Sequence, residues 1–307
     1  MGERFRDDMG RDVVLGRAPQ RIVSLVPSET FNVFALGAGQ RLVGRTRYCD
    51  LPAEACALPE VGGTKDVDPD RVAALAPDLI LANQEENARA PLEALAARRL
   101  PVFVSFPRRL ADGAGHLARL ARMLGIARDP VARAVIREAY AAVPATPPPI
   151  VATAFVPIWN EPLMTFNHDT FASDVLASAG IGNVFADRER RYPLAADLAR
   201  RSPIPAEGPG SSPTGDRLGD RDTRYPRIRL EEVLERAPDM VLLPDEPYAF
   251  GPSDRDDFAS LDIPAAKTGA IYLVSGKDLF WPGARSISAL SNLAALAARA
   301  RSASFSG

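Results

Sequence analysis

The chain has little of several residue types that mark particular protein classes. Histidine and cysteine each occur twice in 307 residues. Cys49 and Cys56 are too sparse to build a disulfide scaffold, and no metal-ligand spacing surrounds them. Cys56 lies in a short alanine-rich stretch and is expected as a small core residue. Direct capture of zinc or manganese usually draws on several His and carboxylate ligands, so two histidines argue against a free-metal receptor. Charge of one sign is lacking too. The net charge is −2, which gives no pull toward a nucleic-acid backbone or an anionic membrane. Long apolar runs are missing: Leu79–Ala82 and Ile150–Val156 are far too short to span a bilayer. The opening residues, Met-Gly-Glu-Arg-Phe-Arg, hold no apolar stretch of a secretory leader. Arg6 breaks the myristoylation pattern that Gly2 would begin. No Gly-x-Ser-x-Gly elbow, phosphate loop or His-Glu-x-x-His helix occurs, so the signatures of the commonest enzyme classes are absent.

What is present is a duplication. Asp70-Arg-Val-Ala-Ala-Leu-Ala-Pro-Asp-Leu-Ile-Leu-Ala-Asn-Gln-Glu85 aligns without a gap on Glu231-Glu-Val-Leu-Glu-Arg-Ala-Pro-Asp-Met-Val-Leu-Leu-Pro-Asp-Glu246. Val72/Val233, Ala76/Ala237, Pro77/Pro238, Asp78/Asp239, Leu81/Leu242 and Glu85/Glu246 are identical. Asp68 suits an N-cap and Pro69 the first helical position. Val72, Leu75 and Ala76 supply an apolar stripe, and Pro77 ends the helix. Leu79–Ala82 is apolar without alternation, as in a parallel strand buried on both faces. The unit therefore reads helix, tight turn, buried strand, then a polar loop with Glu85. In the second copy Arg229 replaces the capping aspartate, and Glu231 and Glu232 favour the helix N-terminus instead. A weaker echo relates Ala35-Leu-Gly-Ala-Gly39 to Ser178-Ala-Gly-Ile-Gly182, each closing a helix before a strand.

Further strands are expected at Arg21–Val26, Val102–Ser105, Ile150–Val156 and Ala270–Val274. Their alternation with helical segments predicts an α/β protein with two lobes, each a parallel sheet flanked by helices, and a cleft between them. The expected divisions are residues 1–127 for the first lobe, 128–148 for a connecting helix with a Pro-rich exit, and 149–307 for the second lobe. The connecting helix is capped by Asp129 and runs to Val143, roughly 22 Å. A stretch near 200–223, rich in Pro, Gly, Ser, Asp and Arg, is expected as a flexible insertion.

Several segments together resemble the helical-backbone metal receptors, the group that includes the cobalamin- and ferric-siderophore-binding proteins of bacterial ABC importers. They are Arg21–Thr30, Val61–Lys65, Ala76–Asn87, Asn183–Ala186, Tyr225–Val233, Leu242–Tyr248 and Ser275–Trp281. The resemblance implies a class III periplasmic binding protein-like fold with one backbone helix joining the lobes. It implies a monomer in the periplasm or cell envelope, no covalent cofactor, and a corrinoid or ferric chelate (siderophore or haem) as ligand. It also implies that Asp70 and Glu231 dock onto an ABC permease; favouring their own helix N-termini is the simpler role for both. One aromatic wall of the related clefts falls at Thr64, which is not aromatic, and the opposite wall falls at Tyr225.

Candidate ligand-binding residues follow from position. Ser28 begins a helix after the first strand, where backbone N–H groups favour an anion; it equally suits an N-cap. Tyr48 could stack on a ligand ring or pack on the surface. Lys65 could meet a carboxylate or phosphate, or stand solvated. Glu85 and Glu246 lie beyond the carboxyl ends of buried strands, where open sheets bind ligands. Trp159, Tyr248, Phe280 and Trp281 follow second-half strands and could wall a pocket or pack on loop backbone. Arg285 could pair with an acidic ligand group or start the last helix. His168 precedes a helix near the expected cleft, whereas His116 lies among Leu117, Leu120 and Leu124 and is expected to be packed or solvated. No catalytic residue is assigned; Ser28, His168 and Asp169 form a triad only in imagination. The leading reading is a binding protein that delivers a metal chelate to a membrane permease. The alternative is a cytosolic sensor or chaperone of the same ligands, which the missing leader favours.

Overall fold

The computed structural model describes residues 2–200 and 221–304; most of the expected insertion, residues 201–220, lies outside them. The chain forms two compact units, Met1–Val143 with Trp281–Ser288, and Pro144–Phe280 with Ala289–Gly307.

Unit 1 opens with an antiparallel hairpin, β1 (Glu3–Arg6) and β2 (Asp12–Leu15), which the sequence reading does not anticipate. There follow β3 (Ile22–Ser24), α1 (Pro27–Ala35), β4 (Leu42–Gly44), α2 (Pro69–Ala74), β5 (Leu79–Asn83), α3 (Arg89–Ala97), β6 (Val102–Ser105), α4 (Leu110–Met123) and α5 (Pro130–Ala142). The Asp129 carboxylate caps α5 by accepting from Val131 N at 2.9 Å. This helix, expected as the connector, counts with unit 1 and packs on α4. Unit 2 holds β7 (Ala152–Phe155), α6 (Phe171–Ser178), β8 (Ile181–Asn183), α7 (Leu194–Asp197), α8 (Leu230–Arg236), β9 (Met240–Pro244), α9 (Pro252–Ala259), α10 (Pro264–Lys267), β10 (Ile271–Val274) and α11 (Gly276–Phe280). The last helix, α12 (Ala284–Ser304), begins in unit 1 and continues in unit 2.

The two parallel sheets share one topology. Their orders are β4-β3-β5-β6 and β8-β7-β9-β10. In each, the second strand flanks the first on one side, and the third and fourth follow on the other. The third strands, β5 and β9, are buried at all five positions, as continuous apolar strands covered on both faces should be. Around β5, Val72, Leu92 and Leu95 pack on Val23, Ile80 and Val104. Around β9, Val233, Phe258 and Ile263 pack on Phe155, Val241 and Leu243. The weaker echo also has a structural cause: Gly37 (φ +80°) and Gly180 (φ +74°) each close a helix in the left-handed region that favours glycine.

The duplicated block is the same device twice. Asp68 caps α2 through Asp70 N and Arg71 N. In α8 the Glu232 carboxylate closes back onto Arg229 N at 3.1 Å. Ala76 and Ala237 both adopt φ +44°, a conformation in which Cβ crowds the backbone. The next two residues, Pro and Asp, carry the chain into the strand. Asp78 accepts from Arg21 N at 2.8 Å and Gln20 N at 2.9 Å, beside the start of β3. Asp239 accepts from Thr153 N and Thr153 Oγ1, both at 2.7 Å, on β7. Each aspartate thus ties its own strand to the neighbour that lies beside it in the sheet.

The cysteines depart from expectation. Both are free, but Cys49 is the buried one and Cys56 is exposed. Cys56 lies on a single-turn 3-10 helix, Ala53–Ala57, of which only Ala55 is buried. Flanking alanines on so short a helix do not turn the thiol inward. Burial pushes the Cys49 thiol up, despite contacts to Thr30 and Thr46.

His116 is packed, inside a polar network that crosses unit 1. Its Nε2 faces Glu29 of α1 at 2.7–2.9 Å, and Ser105 Oγ donates to Glu29 at 2.6 Å. Arg119 donates to His116 Nδ1 at 3.2 Å and holds Asp8 through two bonds of 2.6 and 2.9 Å. Arginine can only donate, so that contact leaves Nε2–H to donate to Glu29. Burial alone would raise the Glu29 pKa, but His116, Ser105 and Arg119 outweigh it and hold the carboxyl below its ordinary range.

Two outcomes test these assignments. Ala76→Gly and Ala237→Gly should leave stability unchanged or raise it by up to about 1 kcal/mol, because both sites are exposed and left-handed. Ala74→Gly, in exposed helix, should cost about 1 kcal/mol. Denaturant midpoints that fall equally for all three would refute the strained-turn assignment. Glu29→Gln should destabilise the protein by about 3 kcal/mol at neutral pH. A depressed carboxyl stabilises above its unfolded pKa of about 4.3 and loses that contribution as pH falls through the folded value. The gap between wild type and variant should therefore close on acidification below about pH 4; a pH-independent gap would contradict an ionised Glu29.

Candidate functional site

In unit 1 the candidate residues gather on the loops that leave β3, β4 and β5. Asn87 binds these loops together. Its Nδ2 donates to Leu25 O at 2.9 Å, just past β3, and to Thr64 O at 3.0 Å. Its Oδ1 accepts from Asn83 N at 2.9 Å, at the end of β5. Asn83 in turn accepts from Glu85 N at 2.9 Å, closing the turn that presents Glu85. Lys65 reaches the same turn, its Nζ donating to Glu85 O at 2.6 Å. Lys65 is thus tied to a backbone oxygen, leaving its charge without a contacting carboxylate in this bond. Tyr48 is 54% exposed, a large apolar ring held in water. The Arg47 guanidinium lies 5.7 Å from its centroid and pairs with Asp66 through bonds of 3.1 and 2.8 Å, joining the Tyr48 loop to the loop of Lys65.

Ser28 is buried at 6% exposure but is not an N-cap. Val26 occupies that position and Pro27 the first helical one, which puts Ser28 two residues past the cap. Of its two sequence roles, capping is therefore corrected.

Trp281 and Arg285 stand with unit 1, although they follow the second-half strands in sequence. Asn32 of α1 explains this. Its Nδ2 donates to Pro282 O at 2.9 Å and its Oδ1 accepts from Ala284 N at 3.0 Å. Trp281 is buried and meets Phe31 edge-on at 6.1 Å. Arg285, partly buried, opens the first turn of α12.

In unit 2 the corresponding loops carry aromatic rings. Trp159 follows β7 and is 44% exposed. It meets Tyr248 edge-on at 5.7 Å, and Tyr248 leans on buried Phe250 at 4.7 Å. Phe250 thus anchors two candidate residues; the sequence shows it only as one aromatic among several. Phe280 packs edge-on against Phe166 instead, at 6.1 Å. Bridges Trp159↔Met164 and Met164↔Arg227 align three short backbone stretches. Asn167 N donates to Arg224 O at 2.9 Å, which sets His168 close to the Tyr225 stretch. The His168 ring bonds Ala186 O at 2.8 Å, so Nδ1 carries the proton there. The Arg224 guanidinium lies 5.3 Å from the Tyr225 centroid.

Glu246, the counterpart of Glu85, has a different setting. Lys277 Nζ lies 3.3 Å from its Oε2. The approach depends on Gly276, where a Cβ would fall 2.4 Å from Glu246 O and 2.5 Å from its Cγ. Asp245 Oδ1 accepts from Gly276 N at 2.7 Å and fixes α11 against the β9 loop. Lys277 sits in the Ser-Gly-Lys-Asp segment, but nothing in sequence spacing pairs it with a residue 31 positions earlier.

Asp70 and Glu231 occupy the same place, the second residue of α2 and of α8. Both carboxylates are exposed. Asp70 pairs with Arg98 at 2.7 Å and Glu231 with Arg229 at 3.6 Å; exposed pairs of this kind contribute little to stability.

The described residues bring no nucleophile and base into register. Ser105 donates to Glu29, and the His116 ring faces the same carboxylate rather than the serine. Ser28 belongs to unit 1 and His168 and Asp169 to unit 2. Among the described residues no three His, Cys, Asp or Glu side chains are placed to hold a metal ion, and no helix is long and apolar enough to cross a membrane. The arrangement offers exposed rings, paired charges and buried loop clasps, which is the chemistry of binding.

Comparison with known proteins agrees with this architecture. The chain is 29% identical over 236 residues to the vitamin B12-binding protein of Photorhabdus laumondii, covering 74% of this chain and 71% of that protein. It is 32% identical over 185 residues to the vitamin B12-binding protein of Yersinia pestis, covering 58% of this chain and 64% of that protein. The structure of the periplasmic vitamin B12-binding protein BtuF of Vibrio cholerae matches with a TM-score of 0.69 at 20% identity, over 92% of this chain and 98% of that one. The periplasmic heme-binding protein RhuT from Roseiflexus sp. RS-1 also gives a TM-score of 0.69, at 19% identity, over 92% of this chain and 99% of that one. At such identities these two structures speak for the class III binding-protein fold. Residues 22–275 match the profile of the periplasmic binding protein family, and the chain belongs to that family.

Proposed function

We propose that this chain is the substrate-binding protein of an ABC importer, taking up a metal chelate on its strand-end loops and delivering it to a membrane permease in the cell envelope. The observation that carries this reading is the pairing of exposed rings with rigid loop clasps at those strand ends. Trp159 stays in water while Phe250 and Tyr248 hold it in place. Tyr48 stays in water while the Arg47–Asp66 pair holds its loop. Large apolar surface kept exposed on a fixed backbone is what a planar or caged chelate needs, because little conformational entropy is lost on binding. Lys65 and Glu85 in unit 1, and His168, Tyr225 and Glu246 in unit 2, are the polar contacts this reading assigns. The relatives named for vitamin B12 and heme favour a corrinoid, haem or ferric siderophore as ligand. The relatives are named as binding proteins, and we assign this chain the same role. The protein acts as a monomer, as a carrier that meets a two-sided permease would.

Asp70 and Glu231 are the proposed permease contacts. Two exposed carboxylates at equivalent places on duplicated helices can engage two basic sites of a symmetric partner.

Calorimetry against cobalamin, cobinamide, haemin and several ferric siderophores should give a Kd of about 1 μM or tighter for at least one of them. The absence of heat with every chelate would remove this reading. Asp70→Lys combined with Glu231→Lys should reduce transport by the reconstituted importer at least about tenfold, with the chelate Kd changed less than about twofold. A matching loss of ligand affinity would move both residues into the ligand site.

A further inference from the structure

Among the described residues of unit 2, several guanidinium groups gather near Tyr192 and Tyr225. One phenol ring, Tyr192, has the Arg190 guanidinium 4.8 Å and the Arg221 guanidinium 5.0 Å from its centroid. The ring is fixed, since Tyr192 Oη donates to Asp222 O at 2.8 Å. Arg190 N donates to Thr223 O at 2.8 Å, so the two backbone stretches run side by side. Arg227 lies on the same stretch, aligned with Met164.

The neighbouring carboxylates are engaged elsewhere. Asp222 is held by Arg224 at 2.9 and 2.8 Å. Asp197 accepts from Arg188 at 3.0 Å and from the backbone N–H groups of Arg191 and Arg227. Glu232 pairs with Arg188 at 2.9 Å. Among the described residues no carboxylate hydrogen-bonds to the guanidinium of Arg190, Arg221 or Arg227. Arg190 Nε is shielded from water and has no hydrogen-bond partner among the described residues. Burial and then the Arg190 charge push the Arg227 pKa below its usual value.

Stacking on tyrosine offsets little of the mutual repulsion. Asp222 feels the Arg190 charge and Asp197 offsets part of that of Arg227, but each carboxylate also bonds another arginine, so a further anion would complete the group. Guanidinium groups are suited to carboxylate and phosphate, which they engage in a planar, two-pronged manner.

We propose that Arg190, Arg221 and Arg227 form an anion-binding subsite that selects a ligand carrying carboxylate or phosphate groups. The subsite adjoins Tyr225 through Arg224, and Thr165 N and Asn167 N fasten the His168 stretch to the same backbone. Under the chelate-binding reading, on which the identity of the ligand rests, the subsite makes the ligand an acidic chelate rather than a neutral one. The existence of the subsite does not depend on that reading.

The test compares wild type with Arg190→Gln/Arg221→Gln/Arg227→Gln and with the corresponding triple lysine variant, with circular dichroism verifying that each is folded. Visible-absorption titration should show haemin bound at least about tenfold more tightly than its dimethyl ester by wild type. The glutamine variant should lose that preference, and the lysine variant should regain part of it. Raising salt should weaken haemin more than the ester. Thermal melts with inorganic phosphate and with citrate form a second arm that needs no chelate: wild type should be stabilised and the glutamine variant should not. Stabilisation by phosphate or citrate with no chelate bound would keep the subsite, assign it to a free anion and defeat the chelate reading alone. Equal affinity for acid and ester, together with melts indifferent to both anions, would overturn the subsite. So would a glutamine variant that loses ester and acid binding alike.

Discussion

The Pro-Asp turn between helix and buried strand is the constraint on which both units rest. Its aspartate satisfies backbone N–H groups of the adjacent strand, at 2.8–2.9 Å in unit 1 and 2.7 Å in unit 2. That bond sits beside the register pairs Ile22↔Leu79 and Ala154↔Met240. A parallel pair has no hairpin to fix its alignment, so an aspartate at the entry of the third strand does the work a turn does elsewhere. The turn is reached through alanine in a left-handed conformation, a local cost that persists in both copies. With entry and register fixed, the strand length determines where Glu85 and Glu246 emerge at the far end.

The copies diverge at that far end. In unit 1 an amide, Asn87, joins three loops with bonds to backbone oxygens and nitrogen, and Lys65 adds a bond to a carbonyl. In unit 2 a lysine meets the equivalent glutamate directly, with a glycine admitting the approach. Duplicated strands thus present the same residue in two electrostatic settings. An evolving ligand site can change its loops in this way without disturbing the sheet beneath.

Much of the fold was legible because its signals are local. Proline after a short apolar stripe ends a helix, an unalternating apolar run makes a buried strand, and both repeat in order. The two sheets share one strand order for the same reason. What escaped depends on pairs distant in sequence. Trp281 reads as a second-half aromatic until Asn32, some 250 positions away, is seen holding its segment to α1. Cys56 reads as core because alanine surrounds it, but a 3-10 turn with a single buried residue has no face to hide it. Ser28 reads as a cap because it begins a helix, yet Pro27 takes the first helical position before it. Positions of Tyr48, Glu85, Trp159 and Tyr248 at strand ends followed from the pattern; their partners Asn87, Phe250 and Lys277 did not. The N-terminal hairpin was missed since four-residue strands carry too little alternation to stand out.

Local preference is satisfied through most of the described chain and violated in a few places. The third strands are mostly apolar, the helix starts of α2, α5, α6 and α8 are capped or acidic, and the buried Glu29 carboxylate has three polar neighbours. The violations are exposed Tyr48 and Trp159, and guanidinium groups gathered beside Tyr192 and Tyr225. A sequence selected only for stability would bury the rings and intersperse carboxylates among the arginines. Exposed rings leave apolar surface in water, and grouped cations repel, so each feature lowers stability in the unliganded protein. On the proposed reading, both costs would be removed by one kind of occupant, flat or caged enough to cover rings and acidic enough to meet arginine. Within unit 2, Met164 bridges the backbone of Trp159 to that of Arg227, which is the reason to treat that exposed ring and those guanidinium groups as parts of one surface rather than as separate accidents.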